Sequence, residues 1–112
     1  MKDPRIPLAG LGRNAEVSVL ILSSLAGGQK HGYALIKDVE GFSGIRLSPG
    51  TLYEALARLE KRGFIESLDS DDRRRPYRLT SSGADLLSET VASQQRVITT
   101  AKARLKKGWS IA

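Results

Sequence analysis

The sequence contains no cysteine and only one tryptophan, one methionine and two phenylalanines. Without cysteine the chain can form neither a disulfide framework nor a thiolate zinc site, which is typical of proteins in a reducing cytoplasm. Long apolar runs are also missing, since the longest covers only residues 19–22. This excludes a helical membrane span and a signal-peptide core, so we expect a cytoplasmic protein.

The composition is that of one packed domain. The 112 residues are 40% hydrophobic and 27% charged, which is typical of a globular fold and not of a disordered chain. Lysine and arginine number 18 against 12 acidic residues, which gives a net charge of +6. A basic surplus favours a polyanionic partner such as nucleic acid, but local clusters have to support that interpretation because the charge is spread along the chain.

Hydrophobic periodicity predicts two short helices in the first half of the chain. The first begins after Asn14, a candidate N-cap, and ends at the glycine pair 27–28. The second covers residues 32–40, with Tyr33 on its inner face and Gly41 following it. Residues 1–12 carry two prolines and two glycines with little apolar periodicity, which predicts a flexible N-terminal arm.

A third helix has the clearest start signal. Ser48 is placed as N-cap, Pro49 as the first helical residue, and Leu47 can pack against the first turns of the helix. Gly63 ends it. Its predicted inner stripe consists of Leu52, Ala55, Leu56 and Leu59, and its predicted solvent face includes Thr51, Glu54 and Arg58.

After this helix the spacing of apolar residues changes from the helical to the strand-like pattern. Residues 64–68 and 75–79 predict a β-hairpin with a charged tip at residues 69–74. Thr80 or Ser81 then caps a long helix, and a heptad seam along it predicts packing on a second helix. The predicted dimer interface consists of Leu87, Val91, Gln94, Ile98, Ala101, Leu105 and Trp109.

Three short helices and a two-stranded hairpin are the elements of a winged helix-turn-helix. In such domains the third helix enters the major groove of DNA and the hairpin reaches the adjacent backbone or minor groove. The predicted fold class is therefore mainly α with a small β-hairpin wing. We assign residues 1–12 to the arm, 13–80 to the winged helix-turn-helix and 81–112 to a C-terminal dimerisation helix.

Two clusters favour DNA as the partner. The hairpin tip concentrates arginines, whose guanidinium groups suit phosphates and a narrow minor groove, and the third helix begins with small and hydroxylated residues. The predicted DNA contacts are Lys30, His31, Tyr33, Ser48, Gly50, Thr51, Tyr53, Arg58, Arg73, Arg74 and Arg75. The aspartates beside the arginines leave two alternatives open. One is a solvated turn whose charges cancel, and the other is a winged-helix module that binds a partner protein instead of DNA.

The sequence offers little for catalysis. His31 is the only histidine and has no second ligand at metal spacing, while Asp38 and Glu40 point to different sides of a helix. We therefore expect no enzyme activity, metal or cofactor. Trp109 leaves two interpretations open, burial against a partner subunit or a stacking surface for a flat aromatic effector.

Three separated motifs resemble those of the PadR family of bacterial regulators, at residues 31–36, 47–53 and 75–80, followed by Gly83. The resemblance implies a winged-helix homodimer that usually represses and in some members binds an aromatic effector near the dimer interface. It also implies groove contacts from Tyr33, Ser48, Gly50, Thr51 and Tyr53, and a wing formed by Arg74 and Arg75. A homodimer of this kind is expected on a palindromic operator, with its two reading helices about 34 Å apart.

Overall fold

The computed structural model describes residues 15–68 and 75–109, which leaves the predicted arm and hairpin tip outside the described residues. The elements of the described ranges follow the predicted order. They are α1 (Ala15–Ala26), α2 (Gly32–Ser43), α3 (Pro49–Lys61), β1 (Ile65–Ser67), β2 (Tyr77–Leu79) and α4 (Ser81–Lys106). This order confirms the predicted fold class.

The helix α2 is longer than the sequence predicts. It continues through Gly41 to Ser43, so the predicted end at Glu40 is wrong. The residue that ends it is Gly44, which has a φ of 76° and donates its backbone N–H to Glu40 O at 2.9 Å. Because a left-handed conformation is readily available to glycine, the second of two nearby glycines caps the helix and the first is tolerated inside it.

Tyr33 does not lie on the inner face of α2, which corrects the second prediction for this helix. Its side chain is 63% exposed, whereas Leu35 and Val39 are fully buried. The buried positions start at Gly32 and follow at helical spacing, so the phase of the helix turns Tyr33 outward.

The third helix confirms its predicted start and its inner stripe. Ser48 Oγ accepts from Thr51 N at 3.2 Å and Pro49 is the first helical residue. The stripe joins a core formed by all four helices and β1, in which each fully buried leucine or isoleucine contributes about 1.5–3 kcal/mol. The core residues are Ile21, Leu22, Leu25, Leu35, Val39, Leu47, Leu52, Ala55, Leu56, Leu59, Ile65 and Leu86.

The two strands form the predicted antiparallel hairpin but are shorter than predicted. Ile65 pairs with Leu79, Glu66 with Arg78 and Ser67 with Tyr77. Arg78 Nε donates to Glu66 Oε1 at 2.9 Å, a cross-strand ion pair on the exposed side of the sheet.

A contact that the sequence does not predict ties this hairpin to the loop between α1 and α2. Lys30 N donates to Tyr77 O at 3.1 Å, and Tyr77 N donates to Lys30 O at 2.9 Å. Lys30 thus adds one bridge residue to the sheet beside β2. Because both hydrogen bonds are between backbone groups, they fix the base of the hairpin relative to the start of α2.

The junction between the hairpin and α4 is tightly packed. Thr80 is the N-cap: its Oγ1 accepts from Gly83 N at 3.0 Å and donates to Gly63 O at 2.6 Å. A Cβ atom on Gly83 would collide with the backbone oxygen of Phe64 and lie 2.8 Å from Leu79 Cδ1. Only glycine fits at this position without movement of the hairpin.

We therefore expect Gly83→Ala to destabilise the fold by about 1–3 kcal/mol, because the added methyl group meets a backbone atom that cannot rotate away. Thermal unfolding followed by circular dichroism measures this change. The matched control is Gly41→Ala, in an open position on α2 with no atom within 4 Å of the new Cβ, which should gain about 0.5–1 kcal/mol. A melting temperature of Gly83→Ala at or above that of the parent would contradict the close approach.

Candidate nucleic-acid interface

The side of α3 opposite its buried stripe forms an exposed ridge, which we define as Gly50, Glu54 and Ala57. All three residues are exposed and follow one another at helical spacing. Thr51 and Tyr53, also exposed, lie on either side of the ridge. Because Gly50 and Ala57 have almost no side chain, another molecule can approach the helix backbone closely there.

The first turn of α3 is held by its cap. Ser48 Oγ accepts from Thr51 N and donates to Thr51 Oγ1 at 2.9 Å, so the two predicted contact residues order each other. Amide groups in the first turn of a helix carry partial positive charge and favour an anion such as a phosphate. The exposed start of α3 is thus suited to a polyanionic surface.

The start of α2 lies beside α3. A Cβ atom on Gly32 would lie 2.8 Å from Tyr53 Cζ, so the tyrosine ring packs across the first turn of α2. Tyr53 nevertheless remains 52% exposed. His31 is the N-cap residue of α2 and makes no capping hydrogen bond through its side chain, while Tyr33 lies one residue into the helix with Lys37 Nζ 5.3 Å from its ring centre.

Tyr77 joins the hairpin to this surface. Burial raises the pKa of its hydroxyl above the usual value, and the neighbouring Glu60 and Tyr53 raise it further. Arg75 acts in the opposite direction, so its charge is also close to Tyr77. Three of the predicted contact residues, Lys30, Tyr53 and Arg75, are therefore grouped around one tyrosine that the list of predicted contacts did not include.

The side chain of Lys30 is directed into its own loop. Its Nζ donates to Ser24 O at 2.5 Å and to Gly28 O at 3.2 Å, and it lies 3.9 Å from Asp38 Oδ2. Ser24 Oγ donates to the same Asp38 oxygen at 2.6 Å. In the free protein Lys30 thus positions the loop between α1 and α2, a role for which the sequence contains no signal.

The remaining predicted contacts differ in accessibility. Arg58 is partly buried and paired with Glu54, whereas Arg75 is exposed at the base of the hairpin. Arg73 and Arg74 lie outside the described residues. The structure therefore places Ser48, Gly50 and Thr51 at the start of α3, with Tyr53 against the start of α2, whereas Arg58 lies in the last turn of α3. Lys30 and Arg75 lie beside Tyr77 at the base of the hairpin. The contacts of these residues with nucleic acid remain predictions.

The predicted seam on α4 is uncovered along most of its length in the single chain. Leu87 is partly buried against the core, but Val91, Ile98 and Leu105 are 55%, 45% and 60% exposed. Trp109 follows the helix and is 63% exposed. Such a row of exposed apolar side chains is typical of a surface that pairs with another helix.

None of the helices in residues 15–68 and 75–109 combines the length and the hydropathy needed to cross a bilayer.

A profile of the PadR-like transcriptional regulator family matches residues 21–89. The chain is 40% identical over 80 residues to the transcriptional regulator Rv3488 of Mycobacterium tuberculosis, covering 69% of this chain and 74% of the relative.

Two further similarities cover most of this chain. An uncharacterised 37.1 kDa protein in transposon TN4556 of Streptomyces fradiae is 42% identical to this chain over 85 residues. The match covers 76% of this chain but only 25% of that longer protein. The crystal structure of a PadR family transcription regulator from Clostridium difficile R20291 superimposes with a TM-score of 0.68 at 32% identity, over 80% of this chain and 96% of the other. It has the same winged-helix fold.

The raised pKa of Tyr77 has a consequence for stability at alkaline pH. The folded state holds the proton of the Tyr77 hydroxyl more tightly than the unfolded state does, so the protonated hydroxyl stabilises the fold. This stabilisation is fully present below the unfolded pKa of about 10 and is lost as pH rises through the folded pKa. We expect Tyr77→Phe to lose less stability between about pH 9 and 12 than the parent, as measured by urea unfolding at each pH. Tyr33→Phe, on the exposed face of α2, is the control, and identical pH profiles of parent and Tyr77→Phe would contradict the prediction.

Proposed function

This chain belongs to the PadR-like family of transcriptional regulators, and we propose that it is a sequence-specific DNA-binding repressor acting as a homodimer on a palindromic operator. Members of this family are transcriptional regulators and not enzymes. The observation that carries the proposal is the exposed ridge of α3 with its capped first turn, next to the base of the hairpin.

In this proposal α3 reads the major groove. The groove is about 12 Å wide and admits one α-helix. The buried stripe anchors α3 in the core, so the exposed ridge can enter the groove without loss of packing. Thr51 and Tyr53 flank the ridge, and the start of α2 with His31 and Tyr33 faces the adjoining backbone.

The hairpin serves as the wing. Its base is fixed by the hydrogen bonds between Lys30 and Tyr77, and the sequence supplies Arg73, Arg74 and Arg75 at and beside its tip. Arginine side chains on a wing contact phosphates, which adds affinity with little dependence on base sequence, or a narrow minor groove, which favours A-tract DNA by its shape. The wing would therefore position the protein while α3 selects the site.

Pairing of two chains through α4 is the finer part of the proposal. Two copies related by a two-fold axis would cover the exposed seam and present two α3 helices to half-sites about 34 Å apart. Repression then requires only that the bound dimer occupies DNA that RNA polymerase needs. Trp109 would lie at the edge of this interface, either against the partner or as a stacking surface for a flat aromatic effector.

Replacement of Arg74 and Arg75 by alanine should weaken DNA binding and reduce the slope of log K against log salt by about 2, because two phosphate contacts are lost. The measurement is fluorescence anisotropy of DNA from upstream of the protein's own gene, beside a scrambled duplex, at several salt concentrations. The matched control is the double variant Lys102→Ala, Lys106→Ala, which removes the same charge from exposed positions of α4. An unchanged slope in the wing variant would refute the wing assignment, and equal weak binding of both duplexes would leave either an operator elsewhere or the protein-binding alternative.

The dimer is tested by placing a charge in the seam. We expect Ile98→Asp, at a 45% exposed position, to shift sedimentation from dimer to monomer without lowering helix content, because each chain would bury an unpaired aspartate in the interface. The emission of Trp109 should move to longer wavelength as the dimer separates. Glu89→Gln, on the exposed polar side of α4, is the control, and a parent chain that sediments as a monomer would rule out this interface.

A further inference from the structure

Glu54 is the one long side chain of the exposed ridge. Its side chain is 72% exposed, and its neighbours on the ridge, Gly50 and Ala57, carry no side chain or a single methyl group. A carboxylate at the centre of a surface weakens the binding of a polyanion to that surface, because the two negative charges repel each other. The position of Glu54 therefore calls for a partner that offers hydrogen-bond donors and not phosphate oxygens.

Arg58 holds this carboxylate in place. Its Nη1 donates to Glu54 Oε1 at 2.9 Å, one helical turn further along α3. The arginine side chain is only 31% exposed, and its Nε is buried with no hydrogen-bond partner among the described residues. The guanidinium is thus restrained by packing, and it engages one of the two carboxylate oxygens of Glu54.

The chemistry of base edges identifies the matching donor. In the major groove cytosine offers the N4 amino donor and no acceptor of its own, whereas adenine sets its N6 amino donor directly beside its own N7 acceptor. Guanine offers two acceptors and thymine one, and acceptors repel a carboxylate. We propose that Glu54, positioned by Arg58, is a specificity-determining residue that accepts a hydrogen bond from a cytosine N4 in each half-site. The proposal rests on the proposed function of α3 as the reading helix.

The ion pair also lowers the cost of placing a carboxylate in the groove. Arg58 balances the negative charge of Glu54 in the free protein and in the complex, so the ridge approaches DNA without a net negative charge at its centre. A different arrangement, in which Arg58 leaves Glu54 and itself reads a guanine, would require a partly buried side chain to extend past the ridge. The restrained position of Arg58 favours Glu54 as the reading group.

The test begins with selection of binding sites from a random duplex library by the parent, by Glu54→Ala and by Glu89→Ala. The last variant is the matched control, because it removes one exposed carboxylate from α4, away from the ridge. We expect the parent and the control to enrich the same palindromic motif. Glu54→Ala should enrich that motif with the preference at one C·G pair per half-site lost, about tenfold or about 1.4 kcal/mol for each half-site.

The donor is then identified in the selected duplex. Replacement of that cytosine by 2-pyrimidinone, which lacks the N4 amino group, should weaken parent binding by about the same factor and leave Glu54→Ala unaffected. An unchanged parent affinity, or the same motif from Glu54→Ala, would overturn this inference while the proposed function stands, and a loss that follows guanine instead would assign the reading to Arg58. A parent chain that enriches no motif would refute the proposed function itself.

Discussion

Four apolar side chains of α3, those of Leu52, Ala55, Leu56 and Leu59, lie in the core at 0–1% exposure. This burial sets the rotation of the helix, because turning it by one residue would expose leucines and bury charged groups. The packing of the buried stripe therefore determines which residues α3 presents to solvent. The exposed ridge, the capped first turn and the pair formed by Glu54 and Arg58 all depend on the same packing.

A second constraint connects that helix to its surroundings. The backbone pairing of Lys30 with Tyr77 joins the loop after α1 to the hairpin, and the ring of Tyr53 packs over Gly32 at the start of α2. These contacts come from three separate stretches of the chain and meet within one surface. A surface assembled in this way is held by the whole fold and not by any single helix, which suits recognition of a rigid partner such as duplex DNA.

Much of this fold could be predicted from the sequence because its signals are local and repeated. The cap and stripe of α3 and the alternation of the two strands are patterns that a single segment displays by itself. The pairing at Lys30 was not predicted, since one bridge residue has no periodicity, and the end of α2 was placed too early because Gly41 and Gly44 are both plausible caps. Tyr33 is predicted from the sequence both on the inner face of α2 and as a DNA contact, and its exposed side chain is compatible only with the second prediction. Within the site, the residue types indicate nucleic acid, and the i, i+4 spacing of Glu54 and Arg58 is that of an ion pair on a helix. The burial of Arg58 Nε and the contacts of Lys30 Nζ depend instead on packing between segments, which no spacing encodes.

The close approach of Gly83 to Phe64 has a geometric consequence for a dimer of the proposed kind. The carbonyl of Phe64 and the first turn of α4 meet with no room between them, and Thr80 links the same two segments through Gly63. The direction of each α4 relative to its winged-helix unit is therefore fixed by contacts within the subunit. In a pair of such chains, any adjustment to operators of different half-site spacing must come from sliding or rotation between the two long helices, and not from bending where they begin.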